Sequence, residues 1–145
     1  LTKTIELPGG MGQHFFFDIG KGDSLAFFWF PNGRESQPGV THAAALVGQG
    51  DISSANASMN HVAFDVPEEC IEEYVQKLRA GGVECTEVVN HDDSETGASP
   101  SITDTTFVRS VYFKDPDGIL LEFAAWTREL DERDVNLEAA TAVEA

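Results

Sequence analysis

Two stretches of this 145-residue chain are versions of one another. Residues 13–30, laid on residues 109–126 without a gap, pair Phe17 with Phe113, Gly22 with Gly118, Leu25 with Leu121 and Phe27 with Phe123. Each is an apolar run, a glycine-containing turn and a second apolar run, the pattern of a β-hairpin with Gly where positive φ is needed. A duplicated hairpin in a chain of this length points to one compact unit built from two related modules.

The surroundings of the second copy extend the pattern. Residues 59–66 read as a strand with Val62, Phe64 and Val66 on one face and His61, Ala63 and Asp65 on the other. Pro67 opens a helix to about Ala80, striped by Ile71, Tyr74, Val75 and Leu78 and ended by Gly81-Gly82. Residues 83–89 read as a strand and 90–106 as a polar loop. Strands 107–113 and 119–126 follow, joined by the turn Asp115-Pro116-Asp117-Gly118. This half spells βαβββ. The first half supplies only the last three strands of that order, with residues 1–7 as the first of them. The expected organisation is a partial first module over 1–30, a linker over 31–58 with a helical turn at 41–46, a full second module over 59–126, and an acidic tail over 127–145. From residue 131 on, that tail reads as loose helix or disorder.

Charge narrows the partners. Nine Lys and Arg stand against 25 Asp and Glu, a net charge of −16 that repels phosphate backbones and anionic lipid surfaces. Nucleic-acid and membrane partners are therefore not expected. No run approaches a membrane helix, and Leu1-Thr2-Lys3-Thr4 lacks the regions of a signal peptide, so the reading is a soluble, cytoplasmic protein. Cys70 and Cys85 read as reduced, packed thiols. A start at Leu1 rather than Met leaves a fragment or a processed product open.

The run Asn60-His61-Val62-Ala63-Phe64-Asp65-Val66, the helix with Gly81-Gly82-Val83, and Arg109 to Phe123 with its Asp-Pro-Asp-Gly turn and Leu121-Glu122-Phe123 resemble the vicinal oxygen chelate superfamily. That superfamily groups glyoxalase I, bleomycin-resistance proteins, fosfomycin-resistance enzymes and extradiol dioxygenases. The resemblance covers about residues 1–126. It implies an α+β fold of paired βαβββ modules whose curved mixed sheet surrounds a cleft, the first module here lacking its initial strand and helix. It also implies one divalent metal held in that cleft, and a homodimer.

His61 and Glu122 are the candidate metal ligands. Neutral imidazole binds Fe, Mn, Ni or Zn, and a carboxylate buried in an apolar strand calls for a compensating cation. In the resembled family these two positions share one ion. The repeat sets Ala26 against Glu122, so the first module offers no second carboxylate, and the counterpart of His61 falls before Leu1. An upstream histidine would complete the two-histidine, one-carboxylate triad of non-haem Fe(II) oxygenases, making Fe(II) the expected ion, with Mn, Ni or Zn as alternatives.

His14, His91 and Tyr112 are the catalytic candidates. His14 reads as a proton-transfer or hydrogen-bonding group, or as a cap on an exposed strand start. His91 resembles a loop histidine of ring-cleaving relatives, against the plainer reading of a solvated loop. Tyr112 reads as a hydrogen-bond donor to a bound oxygen or as a structural phenol. Phe16, Phe28 and Ser110 are the candidate substrate contacts, because alternation sends about half of an aromatic-rich hairpin to the cleft. His42 has no supporting pattern. The expected function is extradiol ring cleavage of a catechol-type small molecule. Alternatives are a glyoxalase-like lyase or isomerase, which the missing carboxylate at Ala26 disfavours, and a metal-free ligand-binding protein of the bleomycin-resistance kind.

Overall fold

The computed structural model describes residues 1–33, 45–54, 58–116, 118–135 and 137–140. The expected helical turn at 41–46 falls largely outside them, as does His42. Strands β1 (Lys3–Leu7), β2 (Gly12–Gly20) and β3 (Asp23–Trp29) form an antiparallel sheet in that order. The second sheet has the order β4-β7-β6-β5, from β4 (Val62–Asp65), β5 (Val89–His91), β6 (Val108–Lys114) and β7 (Leu120–Trp126). β4 runs parallel to β7 and the other pairs are antiparallel. The fold is α+β, as the sequence implies.

The repeat holds at the level of register. Phe15 faces Phe27 and Phe17 faces Leu25 across β2 and β3, while Val111 faces Phe123 and Phe113 faces Leu121 across β6 and β7. All four residues of the first set move by the same 96 positions to reach the second.

Helix α1 (Ile71–Ala80) connects β4 to the rest of its sheet. Glu72 and Glu73 lie in its first turn and Lys77 and Arg79 in its last, each sign matched to the end of the dipole it meets. Ile71 and Val75 are buried against Val66, Val111 and Ala125, with Tyr74 and Leu78 packed at the edge. The helix therefore takes the outer face of the second sheet, and alternation leaves the opposite face for a site. That face meets the first sheet through Ile5, which packs with Phe107, Val108, Ala124 and Trp126, and through Phe16, whose ring lies 6.3 Å from that of Trp126.

Three expectations are corrected. The strand read over 59–66 is only Val62–Asp65, so His61 sits just ahead of it. The strand read over 83–89 reduces to a single bridge from Cys85 to Phe113, and regular pairing begins only at Val89. Thr86 explains this locally: its hydroxyl accepts the Tyr112 N–H at 3.0 Å, taking a ladder position that a backbone carbonyl would otherwise hold. The C-terminal segment, read as loose, is pinned to the first sheet as far as residue 140. Leu137 exchanges hydrogen bonds with the Thr4 hydroxyl, and the Gln13 amide bonds both Glu138 O and the Ala140 N–H. The reason is charge: the Lys3 ammonium is completely buried and needs anions, which Asp93 at 2.7 Å and Asp134 at 3.3 Å supply. Among the described residues no helix is long and apolar enough to cross a membrane, and both cysteines are free and half-buried.

Candidate metal and substrate site

β7 alternates, so Leu121 and Phe123 face outward, Phe123 onto Tyr74 at 4.8 Å between ring centres, while Glu122 faces inward and is buried. Ala63 is the neighbour of Glu122 in the parallel pairing, and His61, two residues earlier, shares its face. The two side chains meet: His61 Nε2 lies 2.8 Å from Glu122 Oε2. Burial pushes the Glu122 carboxyl up, but its hydrogen bond to His61 and the neighbouring charge win, and it ends below the ordinary carboxylate range.

Asn60, which the sequence reading passed over, fixes the chemistry of that contact. Its amide NH2 donates to Ile52 O at 3.0 Å and to Ser54 Oγ at 3.1 Å, so its carbonyl oxygen is what faces His61 Nδ1 at 2.9 Å. Nδ1 must then carry a hydrogen, and a neutral His61 directs the lone pair of Nε2 at a carboxylate oxygen. Two lone pairs in contact are stable only if a positive charge joins them, either a proton or a metal ion. Ligands about 2.1 Å from one ion and roughly 90° apart are themselves about 3 Å apart, close to the spacing found here. A ligand histidine held by a hydrogen bond on its other nitrogen is also the usual arrangement around a metal. The pair thus fits two positions around a divalent ion. Among the described residues no group of three His, Cys, Asp or Glu is gathered closely enough to hold one alone. The signal for Asn60 was available, since an amide next to a candidate ligand histidine is placed to orient it.

The other candidates, Ser110 excepted, line one cavity of about 500 Å³ together with this pair. His14, opposite Phe28 in the β2–β3 register, stacks on that ring at 3.9 Å and touches Phe16 at 4.3 Å. It is no cap on an exposed strand start: it is enclosed, and its Nε2 has no hydrogen-bond partner. Burial first, and then the nearby His61, lower it to about 3, so it is uncharged near neutrality. Tyr112 stands opposite Glu122, its ring edge-on to His61 at 5.8 Å. Burial, then the Glu122 charge, raise its phenol well above the usual value.

His91 lies on β5 rather than in a solvated loop. Its Nδ1 donates to Gly97 O at 3.3 Å, which leaves Nε2 to accept the Tyr112 hydroxyl at 3.1 Å. Desolvation holds it below the ordinary imidazole value, consistent with that neutral tautomer. Phe16 and Phe28 line the cavity. Ser110 is fully buried, its hydroxyl beside the Tyr112 and Glu122 side chains, and it does not line the cavity.

A family model, Glyoxalase/Bleomycin resistance protein/Dioxygenase superfamily, matches residues 1–123. The chain belongs to that superfamily. It is also similar to a solved structure, the genomically encoded fosfomycin resistance protein FosX from Listeria monocytogenes, at 22% identity over 86% of this chain and 72% of that one, with a TM-score of 0.34. A likeness at that level says nothing about activity. None of the curated proteins matches the chain.

Proposed function

We propose that this protein is a metal-dependent enzyme that opens the ring of a catechol-type substrate in extradiol fashion, with Fe(II) as its ion. The observation that carries the reading is the convergence of a ligand-ready His61–Glu122 pair with the bare, uncharged nitrogen of His14 and the Tyr112–His91 hydrogen bond in one cavity. An ion held by His61 and Glu122 supplies a Lewis acid and a template for two neighbouring substrate oxygens, with Mn, Ni or Zn as other candidates. In the overall reaction one ring carbon–carbon bond and the dioxygen bond break. Both oxygen atoms stay in the ring-opened product, so no outside reductant is consumed.

The chain's own groups handle the protons. His14 Nε2 has no protein partner, and as an uncharged ring nitrogen it is placed to share a hydrogen bond with a diol hydroxyl. Tyr112 commits its hydrogen to His91 and presents its oxygen to the cavity, where it can accept a hydrogen bond from the second hydroxyl. Phe16 and Phe28 wall the ring. Two free cysteines suit a reducing cytoplasm, and a homodimer is the assembly proposed for it.

The test is anaerobic loading with Fe(II), addition of catechol, and measurement of oxygen uptake with the near-visible absorbance of a ring-opened product. One oxygen consumed per product formed, with at least a hundredfold loss in His14→Ala, supports the reading. No uptake with any diol, at full metal loading, overturns it. A second reading has support in charge: the net −16 and the carboxylates around the cavity favour a cationic ligand held without metal, as in a sequestering protein. Metal content separates the two, since a sequestering protein binds its ligand equally well after chelation. A glyoxalase-like reaction lacks its carboxylate, because Ala26 lines the cavity where the repeat sets Glu122.

A further inference from the structure

Asn60 holds the far side of the His61 ring, and the sheet points to a group that does the same for Glu122. The inference rests on the metal-dependent reading of the site. Ser110 and Tyr112 lie two residues apart on β6 and so share a face, and Tyr112 stands directly opposite Glu122. Ser110 is therefore the diagonal neighbour of Glu122, roughly 7–8 Å away along the backbone and within reach of a long side chain. Both are buried, Ser110 completely.

A buried hydroxyl needs an acceptor for its hydrogen. Directly across the sheet from Ser110 stand Ala124 on β7 and Val89 on β5, neither with a polar side-chain atom. No backbone carbonyl is in position to take the hydrogen. His91, the diagonal neighbour on β5, has both ring nitrogens engaged, one with Gly97 O and the other with the Tyr112 hydroxyl. What stands beside the Ser110 hydroxyl is the Tyr112 phenol and the Glu122 carboxylate. An ionised acceptor makes the stronger hydrogen bond. Seen from the carboxylate, Oε2 is taken by His61, and Tyr112 has committed its hydrogen to His91. Ser110 is the hydroxyl left to donate to Oε1.

We propose that Ser110 is a positioning residue: its hydroxyl donates to Glu122 Oε1 from beneath the cavity and keeps Oε2 turned toward His61, so that the two ligands are set for one ion before it arrives. It touches neither the ion nor a substrate, because it lies outside the cavity. Partners of this kind behind a ligand are commonly worth as much to ion affinity as the orientation they enforce.

The experiment compares the parent with Ser110→Ala, Ser110→Val and Ser110→Thr. Fe(II) affinity is read by anaerobic calorimetry, Co(II) affinity by visible absorbance, and the melting temperature of each ion-free protein is recorded. Valine and threonine have the same shape and differ in the hydroxyl, so their comparison cancels packing. Expected is a loss of about 10–100-fold for both ions in the alanine and valine variants, with the threonine variant within about threefold of the parent. Should the two larger variants fail to fold, the alanine variant carries the test: the same loss at an unchanged melting temperature supports positioning. Affinities within about threefold of the parent in every folded variant, or losses that simply follow the melting temperatures, overturn this inference and leave the metal-dependent reading standing. A parent that takes up neither ion overturns both.

Discussion

The two hairpins share register and side-chain type but not their surroundings. Phe113, on β6, is 8% exposed, whereas its counterpart Phe17, on β2, is 37% exposed. Phe123 packs on Tyr74 of α1, while Phe27 is 47% exposed. The difference teaches that strand pairing alone does not bury a sheet; a covering layer does. α1 covers the second sheet. Among the described residues, the first sheet is tied down on its inner side by the packing of Ile5 and Phe16, and polar contacts add to it: buried Lys3 between Asp93 and Asp134, its ammonium 4.0 Å from the centre of the Phe107 ring, and the C-terminal segment bonded to Thr4 and Gln13.

The largest effect separates the hairpins directly. Phe113→Ala should cost about 3–5 kcal/mol in urea unfolding, and Phe17→Ala less than about 1 kcal/mol. Equal costs would mean that the outer face of the first sheet is covered after all.

Next comes the electrostatic tie. Asp134→Asn leaves Lys3 with one anion and should cost about 3 kcal/mol at neutral pH. The hydrogen bond from Arg128, and then the charges of Lys3 and Arg128, hold Asp134 below its ordinary value against the opposing effect of burial. A carboxyl depressed in the folded state adds stability that is fully present above its unfolded pKa, about 4, and is lost as pH falls toward the lower folded value. Unfolding midpoints between pH 5 and pH 2 should therefore fall more steeply in the parent than in Asp134→Asn. In hydrogen exchange, acid should loosen β1 before β6 and β7. Parallel acid profiles for the two proteins would remove Asp134 from the account.

A smaller effect probes the site end of the second sheet. Asn60→Ala frees the His61 ring and should weaken metal binding about 10–100-fold with far less change in stability. Unchanged metal affinity would show that the Asn60 contact orients nothing. Smallest is Ala26→Glu, which puts a carboxylate at the counterpart of Glu122. Ala26 is exposed, so stability should change by no more than about 0.5 kcal/mol. A larger loss would show that position 26, unlike the open site described, is enclosed in solution.

Much of this arrangement was legible in the sequence for a physical reason. Alternation and turn chemistry are local, so the hairpins, the helix stripe and the inward face carrying His61 follow from residue order. The repeat carried the register, because a one-residue slip would have turned every paired aromatic to the wrong face. What escaped depends on contacts between distant residues. Thr86 breaks a strand by bonding Tyr112, 26 residues away. The tail is held because Lys3 is buried, which its position near the start of the chain does not reveal. His91 reads as a loop residue until β5 pairs with β6, and Asn60 gains its role only when Ile52 and Ser54 occupy the other end of its amide.

The central claim is that His61 and Glu122 grip one ion between them. Anaerobic calorimetry with Fe(II), run on the parent, His61→Ala and Glu122→Gln, tests it most directly. The account predicts one equivalent bound by the parent, and affinity lost at least a hundredfold in each variant while the fold is kept by circular dichroism. Stoichiometric binding that survives both substitutions, or a parent that takes up no divalent ion, would contradict it.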